Sequence, residues 1–246
     1  VWNGREFDEK RAEARRAMIR TAEATLSCKF DGEPLIVGTS GRYEFRNKGI
    51  DIFLDALKQL AETDALDREV LVYITVPSAT TGPRKDLQAH LADENSPIDP
   101  KQNRFCTHYL EHPEWDQILN SIAGSVLANP SSKVKVVFVP TYLNGRDGIF
   151  DKSYYELLVG MDMTLFPSYY EPWGYTPLES TAFSVPTLTT TLAGFGLWAG
   201  CCISPNIPRR RSKSPATPPP NCRARPCGAN STQPTKKPIP KRSNVR

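Results

Sequence analysis

An α/β fold around a parallel sheet is what this sequence predicts, on three observations. Short apolar runs of strand length alternate with segments of helical period. Most of the runs are apolar at nearly every position, as strands covered on both faces are. Five such runs follow one another between residues 35 and 190, with helical segments between them, which is the pattern of βαβ units.

In chain order, Ala14, Met18, Ala22 and Leu26 recur every four residues amid charges, predicting a helix over 8–26. Leu35, Ile36 and Val37 form the first buried strand. Ile50, Phe53, Leu54, Leu57, Leu60 and Ala61 mark a strongly amphipathic helix. Residues 70–76 make a second strand. Residues 77–112 break the rhythm: they are polar, contain Pro83, Pro97 and Pro100, and read as a long connection or a small helical insertion. Trp115, Ile118, Leu119, Ile122 and Val126 predict a helix with Pro113 near its first turn. Strands follow at 134–139, 163–166 and 186–190, with short helices at 154–159 and 176–183.

The net charge of +4 hides two unlike parts. Residues 201–246 hold 11 of the 31 bases and no acid, so the remaining 20 bases face all 27 acids in residues 1–200. The body is acidic and the tail basic; a nucleic-acid partner would rest on the tail alone and is not expected. The tail also has 10 of the 22 prolines, four of the six cysteines and no aromatic residue. Such a stretch cannot bury enough apolar area to offset its ordering entropy. The organisation expected is a body over 1–198 and a basic, proline-rich, disordered tail over 199–246, for which a shifted reading frame is an alternative origin. Cys201, Cys202, Cys222 and Cys227 contain no C-x2-C pair, so no zinc finger is implied. Two body cysteines, Cys28 and Cys106, fit a reducing, cytoplasmic compartment. No run of 18 apolar residues predicts a membrane span, and the chain reads as a piece of a longer protein.

In a parallel α/β sheet, ligands bind beyond the carboxyl ends of the strands. Two loops there carry chemistry. Residues 41–49 (GRYEFRNKG) join a strand to a strong helix. Gly41 lets the backbone approach a ligand, and Arg42 with Lys48 sets two cations beside one helix start, which suits a diphosphate. The string is not a P-loop, and by its own pattern it also reads as a polar loop with surface cations. Residues 166–179 (FPSYYEPWGYTPLE) are denser, with aromatics, Glu171 and Glu179. Backbone N–H groups of Gly174, Tyr175 and Thr176 fall at a helix N-terminus, where a phosphate can bind; the same composition also suits a core-packing loop. His108 and His112 have a helical metal spacing but no third ligand nearby, so no metal site is expected. No G-x-S-x-G elbow occurs.

These strings, together with residues 189–196 (TTTLAGFG), resemble the animal and fungal type of glycogen synthase, glycosyltransferase family three, which has bacterial relatives. The resemblance covers roughly residues 1–198. It implies a GT-B fold, two Rossmann-like domains around a cleft, of which this chain looks like most of the C-terminal, nucleotide-sugar-binding half. It implies transfer of glucose from UDP-glucose to the 4-hydroxyl of an α-1,4-glucan with retention, without metal or resident cofactor. ADP-glucose remains open as donor. Arg42 and Lys48 match the cations that hold the leaving diphosphate. Glu171 and Glu179 match an E-x7-E pair, the first by the glucose hydroxyls and the second by the ribose. Gly174, Tyr175 and Thr176 match the backbone contacts to the distal phosphate. Tyr154 matches the platform for the base, with Tyr155 adjoining it. The parent protein is expected to be a cytoplasmic homo-oligomer with no membrane or nucleic-acid partner. Without the other domain, the chain alone is expected to be inactive. A non-catalytic nucleotide-sugar module and another retaining GT-B transferase are the alternative readings; a glucan phosphorylase would need a pyridoxal-phosphate lysine in a context not seen here.

Overall fold

The computed structural model describes residues 4–63 and 66–202, with side chains described up to residue 200. Seven helices and seven strands are found there: α1 (Gly4–Leu26), β1 (Leu35–Ser40), α2 (Ile50–Ala61), β2 (Val70–Thr75), β3 (Thr80–Pro83), α3 (Lys85–Ala92), β4 (His108–Leu110), α4 (Gln117–Ala123), β5 (Val134–Phe138), α5 (Tyr154–Leu158), β6 (Met163–Phe166), α6 (Tyr175–Ala182), β7 (Thr187–Thr189) and α7 (Gly194–Cys202). The basic tail beyond residue 202, and with it the expectation of disorder, lies outside the described residues.

The main sheet has five strands in the order β5-β2-β1-β6-β7, all parallel. Counted in chain order within this sheet, they stand third, second, first, fourth, fifth. That is the order of a Rossmann-like sheet, and it reverses between β1 and β6. β2 lies between β5 and β1 and is buried at all six positions. Its side chains alternate between two cores, as the period of a strand requires. Val70, Val72 and Ile74 face a core with α2 and α4 residues such as Phe53, Leu54, Ile118 and Ile122. Leu71 and Tyr73 face a second core with Met18 and Ala22 of α1 and Leu157 and Leu158 of α5. The buried Tyr73 hydroxyl is satisfied by the Met18 carbonyl at 2.6 Å, as a polar group in a core must be.

Several elements differ from the sequence expectation. β1 continues through Gly38, Thr39 and Ser40, small polar residues that stay in register with β2 as far as Thr75. The helix expected from Trp115 to Val126 is broken. Trp115 closes a 3-10 turn (Pro113–Trp115), and the Asp116 side chain then caps α4 by accepting from the Leu119 N–H. Gly124 ends the helix, and Val126 starts a second 3-10 turn. The 77–112 connection holds α3 and an antiparallel pair, β3 with β4. Arg84, 1% exposed, organises it: its guanidinium grips both Asp86 oxygens, at 3.1 and 2.6 Å, and donates to the carbonyls of Asn103 and Cys106. His108 and His112 are not on a helix. His108 is buried on β4 with Nε2 at 3.0 Å from the Asp147 carbonyl oxygen, whereas His112 stacks on Trp115.

The loops after β1 and β6 touch by backbone. Gly49 has φ 66° at the start of α2, and a Cβ there would run into the Pro167 carbonyl. Only glycine combines that left-handed conformation with that approach. Gly49→Ala should therefore lower stability by about 2–4 kcal/mol, combining the left-handed penalty with overpacking. Urea unfolding monitored by circular dichroism checks this; an unchanged midpoint would mean the two loops are free to move apart.

Candidate active site at the reversal of strand order

The loops at the carboxyl ends of β1, β6 and β7 are sewn together. The Tyr169 N–H donates to the Asn47 carbonyl at 2.9 Å, and the Gly194 N–H donates to the Glu171 carbonyl at 3.1 Å. The Thr190 hydroxyl donates to the Ser168 carbonyl at 2.6 Å, and Glu171 forms an isolated parallel bridge with Ala193. Within residues 41–49 the chain folds on itself, with the Lys48 N–H on the Glu44 carbonyl and the Gly49 N–H on that of Arg46. A ligand entering this crevice meets loops already fixed, which lowers the ordering cost of binding.

The crevice brings Lys48 and Glu171 into direct ion-pair contact, their side chains only 16% and 20% exposed. Burial first, and the Arg42 charge second, draw the Lys48 ammonium below its ordinary range, with Glu44 opposing. The carboxylate contact favours the charged form. One ammonium proton on Glu171 leaves two for an incoming oxyanion. Arg42 stands at the rim, 73% exposed, with its guanidinium 3.0 Å from Glu44.

α6 starts at Tyr175, after Gly174 at φ 100° and ψ 82°, and no side chain caps it. The N–H groups of Tyr175 and Thr176 thus lack intrahelical acceptors, as at any helix start. Gly174 is buried, while the Tyr175 ring is 69% exposed. Glu179, one turn further along α6, accepts from the Tyr155 hydroxyl at 2.9 Å. Tyr155 is stacked on Phe183, with centroids 5.0 Å apart and planes 9° from parallel. Tyr154 is half-buried against the α1–α5 core, and its hydroxyl shares a 2.8 Å hydrogen bond with Ser40 at the end of β1.

Lys48 with Glu171, Glu179 with α5, and Tyr154 with β1 are thus brought together, and Arg42 is not drawn into the ion pair. Sequence reasoning passed over four contributors. Tyr155 fixes Glu179, and only its place beside Tyr154 hinted at it. Ser40 anchors Tyr154. Ala193 and Gly194 hold Glu171 through their backbone, and a Cβ on Gly194 would strike the Pro172 carbonyl; the glycine inside TTTLAGFG was the available signal. Among the described residues, no three His, Cys, Asp or Glu side chains group as a metal site, and no helix is long and apolar enough to cross a membrane.

Burial pushes the Tyr154 hydroxyl up to about 12, with the Ser40 hydrogen bond opposing. An unfolded tyrosine ionises near pH ~10, so the folded state holds this proton longer. The stability it contributes is whole below pH ~10 and is lost as the pH climbs through the folded value. Tyr154→Phe should therefore show a shallower alkaline loss of stability than the parent chain, measured as urea midpoints from neutral pH upward. Equal slopes would mean that Tyr154 is solvated.

The glycogen synthase family model matches residues 100–207. The chain is 31% identical to a glycogen [starch] synthase of Neurospora crassa, over 69% of this chain and 32% of that protein. It is 28% identical to isoform 2 of Saccharomyces cerevisiae, over 72% and 35%. It is 30% identical to the human liver protein, over 66% and 30%. The chain thus spans about a third of the length of these relatives. The E-x7-E string with Gly174, Tyr175 and Thr176 lies inside the matched segment, on a Rossmann-like parallel sheet. Residues 100–207 match the glycogen synthase family, a family of glycosyltransferases, and the chain is similar to its fungal and animal members.

Proposed function

We propose that this chain is the nucleotide-sugar-binding half of a glycogen (starch) synthase. It transfers glucose from UDP-glucose to the 4-hydroxyl end of an α-1,4-glucan with retention of configuration. The observation that carries the reading is the half-buried Lys48–Glu171 pair at the reversal of strand order, beside the uncapped start of α6. A nucleoside diphosphate leaving a sugar gathers negative charge while the sugar becomes cationic. Lys48, Arg42 and the N–H groups of Gly174, Tyr175 and Thr176 oppose the first charge, and Glu171 lies where it can accept from glucose hydroxyls and favour the second. Because these groups are fixed before reaction, their stabilisation falls on the transition state. Gly41 keeps the loop backbone close to the diphosphate. Glu179 takes the ribose hydroxyls, and Tyr154, with Tyr155 edge-on at 5.5 Å, borders the base. Departure and attack share one face of the sugar. The acceptor's 4-hydroxyl bonds to the anomeric carbon as the bond to the diphosphate breaks, and its proton passes to a phosphate oxygen. No carboxylate nucleophile is required, unlike the retaining hydrolase scheme. The nucleotide sugar is substrate, so the reading includes no resident cofactor or metal, and it places the parent protein in the cytoplasm as a homo-oligomer.

Thermal melts of the 246-residue chain with UDP, UDP-glucose and ADP-glucose test donor binding. Ligand that binds the native state at about a hundred times its dissociation constant adds ~2.7 kcal/mol and raises the midpoint. UDP-glucose should raise it more than ADP-glucose does; a midpoint that no nucleotide moves would remove the donor site from this chain. In the full-length synthase, Arg42→Ala and Lys48→Ala should each lower kcat by roughly 10²-fold, as loss of one oxyanion-type donor does. Near-parental turnover in both would take them out of the mechanism.

A further inference from the structure

On the α2–α4 side of the sheet, a shallow cavity of about 250 Å³ opens beside the donor loop. Its walls include Tyr43, Ser78, His112, Trp115, Asp116 and Gln117. Three features set it apart from ordinary surface. Trp115 is 73% exposed, so folding leaves most of its large apolar ring in water. That ring is nonetheless positioned, since the Pro113–Trp115 turn presents it and one face stacks on His112, with centroids 5.0 Å apart and planes 26° from parallel. Its exposure leaves ring surface free beside the cavity. Asp116, 8% exposed, is held at the edge: one carboxylate oxygen accepts from the Tyr43 hydroxyl at 2.9 Å and the other from the Leu119 N–H at 2.8 Å. A carboxylate has about four acceptor positions, so it can take further hydroxyl donors.

The lining selects its ligand by chemistry. It contains no lysine or arginine, and the Asp116 carboxylate opposes an anion. An aromatic face ringed by neutral and acidic hydrogen-bonding groups matches a molecule with apolar C–H faces and a rim of hydroxyls. The cavity lies below the ~300–1,000 Å³ of drug-sized sites and suits one sugar ring at the surface. Tyr43 follows Arg42 directly in the chain, so an occupant lies against the donor loop.

We propose that this pocket is a subsite for one glucose residue of an α-1,4-glucan. Trp115 stacks on the pyranose face, and Asp116 and Gln117 take its hydroxyls. The identity of the sugar rests on the glycogen synthase reading; the subsite is a further assignment of residues outside the donor crevice.

The test is electrophoresis of the 246-residue chain in native gels with and without glycogen, run beside nucleotide melts of the same samples. Glycogen should retard the chain. Trp115→Ala should cut the apparent affinity at least 5-fold, Gln117→Ala should weaken it less, and Trp115→Phe should restore part of it. The UDP-induced rise in midpoint should persist in all three variants, which shows each to be folded and keeps the donor reading separate. Maltoheptaose should compete and cellohexaose should not. Retardation that is undiminished in Trp115→Ala overturns the subsite, as does equal competition by cellohexaose. A chain that glycogen never retards overturns it too, whether or not UDP still binds.

Discussion

The candidate crevice exists only because β6 runs beside β1, and that pairing is short, with just two residue pairs in register. Asp162, directly before β6, reinforces it. Its carboxylate accepts the Ile36 N–H at 2.8 Å, and its own N–H donates to the Ile36 carbonyl at 2.7 Å. Arg11 and Arg15 of α1 close on the same carboxylate at 2.6 and 2.8 Å. They also donate to the carbonyls of Val159, Gly160 and Met161 in the turn before it. Charge-assisted bonds are roughly twice as strong as neutral ones, and Arg15 is only 11% exposed. One aspartate thus joins the first helix, the first strand and the fourth strand of the sheet, and anchors the start of β6, from whose other end residues 167–174 depart.

Much of this was legible because it is periodic. β2 is buried at all six positions and α2 buries one face through Ile50, Phe53, Leu54 and Leu57, and their sequence reading needed no tertiary information. The strings at 41–49 and 166–179 were legible as candidate site loops because parallel strands must deliver such loops to one edge. What escaped the sequence depends on partners far along the chain. Asp162 meets Arg15 across 147 residues, and nothing local in the sequence marks either of them. The break at Asp116 escaped because its apolar neighbours keep helical spacing while its carboxylate caps a later start. α7 escaped because Gly194, Gly196 and Gly200 argue against a helix. There the glycines are needed for contact: a Cβ at 194 or 196 would strike a loop carbonyl.

That contact has a consequence for the chemistry of the crevice. Glu171 holds its place from two sides, by charge through Lys48 and by backbone through Ala193 and Gly194. The second hold depends on α7, which docks through the Phe195 N–H on the Trp173 carbonyl at 2.6 Å. Trp173, Phe195 and Trp198 then pack around this junction, with centroids 5.7–6.2 Å apart. Trp173 lies two residues after Glu171, so the aromatic cluster and the carboxylate share one rigid turn. The aromatics of the 166–179 string therefore divide their work. Trp173 fixes the loop on α7, while Tyr169, Tyr170 and Tyr175, each at least half exposed, face solvent around the crevice. A loop that must present one carboxylate and several backbone N–H groups to a ligand cannot rely on its own hydrogen bonds, because those groups have to stay available. Its rigidity has to come from outside the ligand face, and β7 with α7 supplies it.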